Sequence, residues 1–418
     1  MRLAAVAVLA ALAVTPLPAR AATTYQLVST ARGPGAPATY YPHTAISGNG
    51  RYVAFKVSYS DASPDPLNPP AVGSPTTTEL WYADLVTRKQ VKVMTGYCCI
   101  DAISLSRDGR YLVFESYEKT LVPNDKNERT DVFYWDAKTG KISRIVGVAG
   151  QELNQGAMGG VIAPDGNTIV YVSSSDVLNK RNQQAPPCTI YKYSLRTRKT
   201  TPVVIGGKAI CAFPAGEIAV STDARYLAIT TMDQYAREDA SALDVYWVDT
   251  VGKRFALMSE TATASTNGSN ENNENPTISG NGRLVGFVSG TITPFSLRID
   301  RTVLLRDVQT GRFIDVSTGL TSAGALATED PRLSEDGNWL TFLDNHGEVP
   351  LAGHADQHAV YVRDLRKDIT STERIEPLGS ASQNAVPSAN GKVIVYITNE
   401  SHDGDSDNGA FDVYVARR

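Results

Sequence analysis

Ser47-Gly-Asn-Gly-Arg-Tyr-Val-Ala-Phe55 and Ser106-Arg-Asp-Gly-Arg-Tyr-Leu-Val-Phe114 are two settings of one phrase, and the chain repeats it five more times. The other copies run from Ala163 to Tyr171, Ser221 to Ile229, Ser279 to Phe287, Ser334 to Phe342 and Ser388 to Tyr396. The starting positions are 59, 57, 58, 58, 55 and 54 residues apart, so one structural unit is copied seven times. Asp-Gly or Asn-Gly between two apolar segments is a hairpin signal, because both central residues of a type I′ turn need positive φ. Each phrase is therefore read as strand, tight turn, strand.

A third apolar run follows each phrase: Glu79–Tyr82, Asp131–Tyr134, Thr189–Lys192, Asp244–Trp247, Thr302–Leu305, Ala359–Val362 and Asp412–Val415. In six copies a turn such as Asp136 to Gly140 leads to a fourth run, for example Ile142–Val146 or Phe313–Val316. Four antiparallel strands make one blade, so the chain reads as an all-β, seven-bladed propeller. The seventh copy ends at Arg418, three residues after its third run, and needs a strand from elsewhere. The segment Thr24-Tyr-Gln-Leu-Val-Ser-Thr30 has no phrase before it and resembles the fourth runs. It is expected to pair onto blade seven, close the ring and remove an open edge.

Residues 22–418 contain no linker or long amphipathic helical stretch and are read as one propeller domain. Arg2, the apolar run Leu3 to Val14 and the small residues of Ala19-Arg-Ala21 read as a signal peptide over residues 1–21, so an exported, secreted or periplasmic product is expected. The run is too short to span a bilayer, and no membrane span is expected after cleavage. A net charge of −4 gives no basic patch of the kind that nucleic acid binding requires. A monomer is expected. Four cysteines, Cys98, Cys99, Cys188 and Cys211, invite disulfides in an oxidising compartment. Cys188 with Cys211 could staple blade three to the start of blade four, and Cys98 with Cys99 could form a vicinal bridge, among the three pairings four cysteines allow.

The innermost strand of each propeller blade faces the central channel, so residues just before each phrase converge on one mouth of it. They include His43, Asp101, Glu217, Glu274, Asn275, Glu329, Asp330, Gln383 and Asn384, a polar and mainly acidic set. Oxygen donors of this kind would suit calcium or magnesium, or a polyhydroxylated or cationic ligand. Asp403-Gly-Asp405-Ser-Asp407-Asn-Gly409, with Asp412 beyond, resembles part of a calcium loop. Asn124, Asp125, Asn127 and Asp131 form a weaker version in blade two. His346, His354 and His358 fall in one loop with Asp356, but Pro350 and Gly353 speak against the helix a zinc motif would need. A Gly-x-Ser-x-Gly elbow and a phosphate-binding Gly-rich loop are absent from the sequence.

The phrases at Ser47 and Ser106, with Asp-Val-Phe or Asp-Val-Tyr strands behind them, resemble the WD-repeat-like units of the TolB-like β-propellers. The resemblance spans nearly all of the chain after the leader. It implies a propeller alone, without the α/β domain that precedes the TolB propeller, in a family that includes binding proteins, envelope assembly factors and peptidase gating domains. The repeat is longer than the common 40–45 residues of WD units. The surplus lies in residues 57–78, 117–130, 173–188, 232–243, 289–301, 344–358 and 398–411, which should crowd one face and carry recognition. The functional expectation is a binding or interaction module for a protein or small-molecule ligand. The alternative is a metal-assisted lyase or hydrolase acting on an extracellular saccharide.

Overall fold

Each phrase folds as the end of one strand, a turn and the start of the next. The computed structural model describes residues 23–29, 38–39, 43–60, 76–97, 102–147, 150–175, 189–212, 217–233, 235, 243–259, 271–292, 299–316, 328–344, 358–367, 372–375, 382–399 and 411–418. Blade one comprises Thr44–Ile46, Tyr52–Ser60, Thr76–Asp84 and Gln90–Tyr97, with Ala38–Thr39 paired further along its second strand. Blade two is Ser104–Leu105, Tyr111–Ser116, Asp131–Asp136 and Lys141–Arg144. Met158–Ile162, Thr168–Ser173, Thr189–Ser194 and Lys199–Pro202 form blade three, and Ile218–Val220, Tyr226–Thr231, Asp244–Asp249 and Arg254–Leu257 form blade four. Blade five is Glu271–Ile278, Leu284–Ile292, Ile299–Asp307 and Phe313–Asp315, and blade six is Thr328–Leu333, Trp339–Asp344, Ala359–Asp364 and Thr372–Arg374. Ser382–Pro387, Val393–Thr398 and Asp412–Arg417 supply three strands of blade seven, and Thr24–Leu27 supplies the fourth.

That closure repeats the geometry of an ordinary blade bond for bond. Val28 N–H donates to Val413 O at 2.8 Å, and Ser29 Oγ donates to Asp412 Oδ1 at 2.6 Å while accepting from Val413 N at 3.0 Å. In blade four, Met258 N–H donates to Val245 O at 2.8 Å, Ser259 Oγ donates to Asp244 Oδ1 at 2.6 Å and accepts from Val245 N at 3.2 Å. Two side chains tie the same strand to the flanking blades: Tyr25 OH donates to Ile375 O, and Gln90 Nε2 donates to Val28 O, both at 2.6 Å.

The turn differs from the expected type I′. Only the Gly of the Asn-Gly or Asp-Gly pair has positive φ, 69° at Gly50 and 74° at Gly109 and Gly282. Gly50 N–H closes a β-turn on Ser47 O at 2.8 Å, and the Asn49 amide oxygen accepts from Ser47 Oγ at 2.7 Å and Arg51 N at 2.9 Å. Local side-chain bonds thus hold a longer turn than the two-residue form. The Arg at the fifth place of the phrase pairs two-pronged with the Asp at the end of the third strand: Arg51 with Asp84, Arg110 with Asp136, Arg225 with Asp249 and Arg283 with Asp307. Blade six has Asn338 instead, and Arg366 reaches Asp364 from the other side. These guanidiniums hold the Asp84, Asp249 and Asp364 carboxyls well below their usual range.

Seven apolar clusters fill the seven gaps between neighbouring blades. At the turn end, backbone bonds also run from blade to blade: Asn49 N to Arg107 O, Arg107 N to Pro164 O, Asp165 N to Thr222 O, Thr222 N to Gly280 O, Gly280 N to Glu335 O, Asp336 N to Ala389 O and Ala389 N to Gly48 O, all 2.8–3.0 Å. They form a closed collar around the ring axis. The second strands are longer than expected in blades one and five, so Val57 to Ser60 and Ser289 to Ile292 are strand rather than loop. Cys211 is disulfide-bonded and buried, and Thr189 is its antiparallel bridge partner. Cys98, Cys99 and Cys188 lie outside the described residues, as do residues 1–22 and most of the long loops.

Candidate functional site

The inner strands enter the ring at the end opposite the collar, and four of them carry an irregularity there. The register shifts between Met158 and Val161, Glu274 and Thr277, Glu329 and Arg332, and Gln383 and Val386. The residue four positions before the phrase is left-handed in five blades: Ala102 (φ 43°), Gly159 (65°), Asn275 (54°), Asp330 (49°) and Asn384 (51°). Asn and Asp tolerate that conformation better than other side chains, which gives three of the expected mouth residues a backbone reason to be there. His43 and Glu217 stand at the same position, half-buried, without positive φ.

Polar side chains near these irregularities reach the backbone of the next blade. Asn384 Oδ1 accepts from Thr44 N at 2.9 Å and Thr44 Oγ1 at 2.7 Å. Glu217 Oε2 accepts from Asn275 N at 3.1 Å. Glu115, which the sequence did not single out, accepts from the Gly159 and Gly160 amides. Burial pushes the Glu217 carboxyl above its ordinary range, and the nearby Glu274 charge adds to the shift.

Between blades five and six the mouth carries a chain of alternating charge. Arg301 binds Glu274 through Nη2 and Glu329 Oε2 through Nη1 at 3.0 Å, and His358 Nε2 lies 3.2 Å from Glu329 Oε1. Asp330 pairs with Arg332 at 2.7 Å. The structure therefore brings Glu274, Glu329 and His358 into one half-buried cluster, and it supplies the two arginines that the sequence reading lacked. Arg301 was missed because residues 289–301 read as loop, whereas Ile299–Asp307 is a strand that delivers its side chain to the mouth. Asp101 lies outside the described residues.

The Asp-rich loop of blade seven, Asp403, Asp405 and Asp407, also lies outside them, whereas the Asp412 carboxylate is bonded to Ser29 in the ring closure. In blade two, Asp125, Asp131 and Glu152 converge within 4.8 Å. An arginine sits among them: Arg144 Nη1 is 3.0, 3.1 and 2.7 Å from Asp125 Oδ1, Asp131 Oδ2 and Glu152 Oε1. Asn127 Nδ2 donates to Asp131 at 3.0 Å and to Leu153 O at 2.8 Å. This weaker acidic loop is an internal ion-pair network whose cation is a side chain.

Burial raises the Asp131 carboxyl to about 6 and that of Asp344, at the end of blade six's second strand, to about 7. Folded protein binds these protons more tightly than unfolded chain does, so their stabilisation is full below pH ~4 and is lost as pH rises through about 6 and about 7. Asp84, Asp249 and Asp364 act oppositely and lose their contribution as pH falls below ~4. The unfolding midpoint is expected to peak near pH ~5 and to fall toward pH ~8, and Asp344→Asn should remove about 2–4 kcal/mol of that fall. A midpoint flat from pH ~5 to ~8 in the unchanged protein would contradict the assignment.

No family model and no curated protein matches the chain. Among solved structures it is similar to an oligogalacturonate lyase from Vibrio parahaemolyticus, at 13% identity and TM-score 0.55 over 95% of this chain and 96% of that one. It is similar to the β-propeller domain of the trilobed protease from Pyrococcus furiosus, at 9% identity and TM-score 0.55 over 89% of this chain and 99% of that one. That domain is described as having an open velcro topology, unlike the strand-closed ring here. A TolB from Acinetobacter baumannii is also similar, at 14% identity and TM-score 0.41 over 88% and 80%. At these identities the likeness shows the propeller fold and no activity. No helix among the described residues is long and apolar enough to cross a membrane.

Proposed function

We propose that the protein is an exported propeller that binds a polar ligand or protein segment at the channel mouth over blades five and six. The half-buried chain Glu274–Arg301–Glu329–His358 carries the reading. A guanidinium shared between two carboxylates, with an imidazole beside one of them, offers both donors and acceptors on a rigid rim, which is what recognition of a polar ligand demands. The leader-like residues 1–21 and the disulfide at Cys211 support export to an oxidising compartment. Calcium at Asp403, Asp405 and Asp407 is kept within this proposal as a stabiliser of the loop face.

The reading is tested by screening the purified protein against glycan and peptide arrays and remeasuring any ligand found with Arg301→Ala. Affinity is expected to fall at least ~10-fold, about 1.4 kcal/mol, while Lys138→Ala on the collar side leaves it unchanged. A ligand bound equally well by Arg301→Ala would sink the mouth as its site. The saccharide-enzyme reading is favoured by one observation, the 3.2 Å contact of His358 with Glu329, since a carboxylate-oriented imidazole can serve as a base. It requires turnover that is lost in His358→Ala. Metal analysis of the same preparation discriminates further, because stoichiometric calcium supports the Asp403 loop and a bound transition metal supports the enzyme.

A further inference from the structure

Three residues from alternate blades meet at the collar. Arg107 of blade two donates through Nε to Glu335 Oε2 of blade six at 2.9 Å and through Nη2 to Glu335 Oε1. Thr222 of blade four donates through Oγ1 to Glu335 Oε1 at 2.6 Å and lies 3.5 Å from Arg107 Nη2. In a ring of seven blades, side chains of blades two, four and six can touch one another only on the axis.

Room has been left for them. A Cβ at Gly48 would lie 2.7 Å from Arg107 Cγ, and one at Gly280 would lie 2.6 Å from both Glu335 Cγ and Thr222 Oγ1. Above this level Val161, Ala219, Arg332 and Val386, each two residues before its phrase, are partly exposed, whereas Ala45 and Thr277 at the same place are buried.

We propose that Arg107, Glu335 and Thr222 form an axial plug that shuts the channel at the collar, leaving a blind well that solutes enter from the mouth alone. The cross-axis contacts of Arg107, Glu335 and Thr222 span the space that the collar backbone encloses. Glycines at positions two of blades one and five are the concession that lets the longer side chains lie flat across the axis. The pair is half-exposed on the arginine side, at 48% against 13% for the glutamate, so it contributes little to stability and its removal leaves the ring folded.

The test places a probe in the wall, Ala219→Cys, and follows its reaction with a small cationic thiosulfonate reagent. The mouth is narrowed by Met158→Trp with Gln383→Trp, and the plug is removed by Arg107→Ala with Glu335→Ala, in all four combinations. With the plug present, narrowing should slow labelling at least ~10-fold; with the plug removed it should slow labelling less than ~2-fold, because reagent arrives through the collar. Equal slowing in both backgrounds overturns the proposal, since no second route has opened. Absence of slowing with the plug present also overturns it, since a second entrance already exists. Unfolding midpoints check that each variant is folded, and Arg107→Ala alone replaces the double variant if that one fails.

Discussion

Deletion of Thr24 to Ser29 is expected to convert a single cooperative unfolding transition into a protein that is barely folded at room temperature. The strand contributes a ladder of four residue pairs to blade seven, the buried Val28 side chain and the Ser29–Asp412 bond. Burial of Val28 is worth about 2 kcal/mol. A hydrogen bond to a charged carboxylate is worth about 1.5–3 kcal/mol. With the two flanking ties of Tyr25 and Gln90, the loss approaches the ~5–15 kcal/mol that stabilises a whole domain. The deletion also bares the Asp412–Arg417 edge, so association of copies should appear in sedimentation. A synthetic peptide of residues 23–30, added in trans, should restore the midpoint. Ser29→Ala alone should cost about 1–2 kcal/mol by removing the latch while keeping the strand. A deletion variant with an unchanged midpoint and a monomeric profile would show that the ring does not depend on this strand.

Gly282→Ala is expected to cost about 3–5 kcal/mol, far more than the same change at Gly311, which should cost about 1 kcal/mol. Both glycines have positive φ, 74° and 70°. A Cβ at Gly311 would meet nothing within 4 Å, whereas one at Gly282 would overlap the ring of Tyr226 in the preceding blade, with Tyr226 Cβ at 2.7 Å. The difference between the two variants therefore isolates blade-to-blade packing from backbone strain. Gly109 against Tyr52 and Gly391 against Trp339 repeat the arrangement. Blade four carries Ala224 at this place, with φ 55°, and there the preceding blade offers Thr168 instead of an aromatic. Equal midpoints for Gly282→Ala and Gly311→Ala in thermal unfolding would refute the packing explanation.

The blade plan was legible because a hairpin phrase copied seven times fixes strand order, and blade seven's missing strand pointed to residues 24–30. The turn type was not, since Asn-Gly suits type I′ and also a longer turn, and the choice falls to the Ser47 hydroxyl and the Asn49 amide, whose bonds appear only once folded. At the mouth, Glu274, Asn275, Glu329, Asp330 and Asn384 lie in inner strands, and His43 and Glu217 immediately precede theirs. Proximity to the phrase could not separate Glu217 and Asn384, whose side chains bond the backbone of the next blade, from Glu274 and Glu329, which share Arg301. That distinction depends on side chains reaching across from other blades, at separations no local pattern encodes. Asp412 shows the same limit: in sequence it closes an acid-rich loop, while its bond is to a serine 383 residues away.

The second residue of the phrase is Gly48, Arg107, Pro164, Thr222, Gly280, Glu335 and Ala389 in turn, the column in which the copies agree least. It is also where the collar brings them nearest to one another. Rotational symmetry would place any side chain shared by all copies against its own images: seven arginines would stack charge on charge, and seven bulky apolar groups would collide. A repeat can be uniform at its rim, but a hub that carries charged or bulky side chains must be heterogeneous. Divergence there lets an arginine, a glutamate and a threonine meet across the circle, so in this chain the most variable column of the phrase marks the axis rather than the periphery.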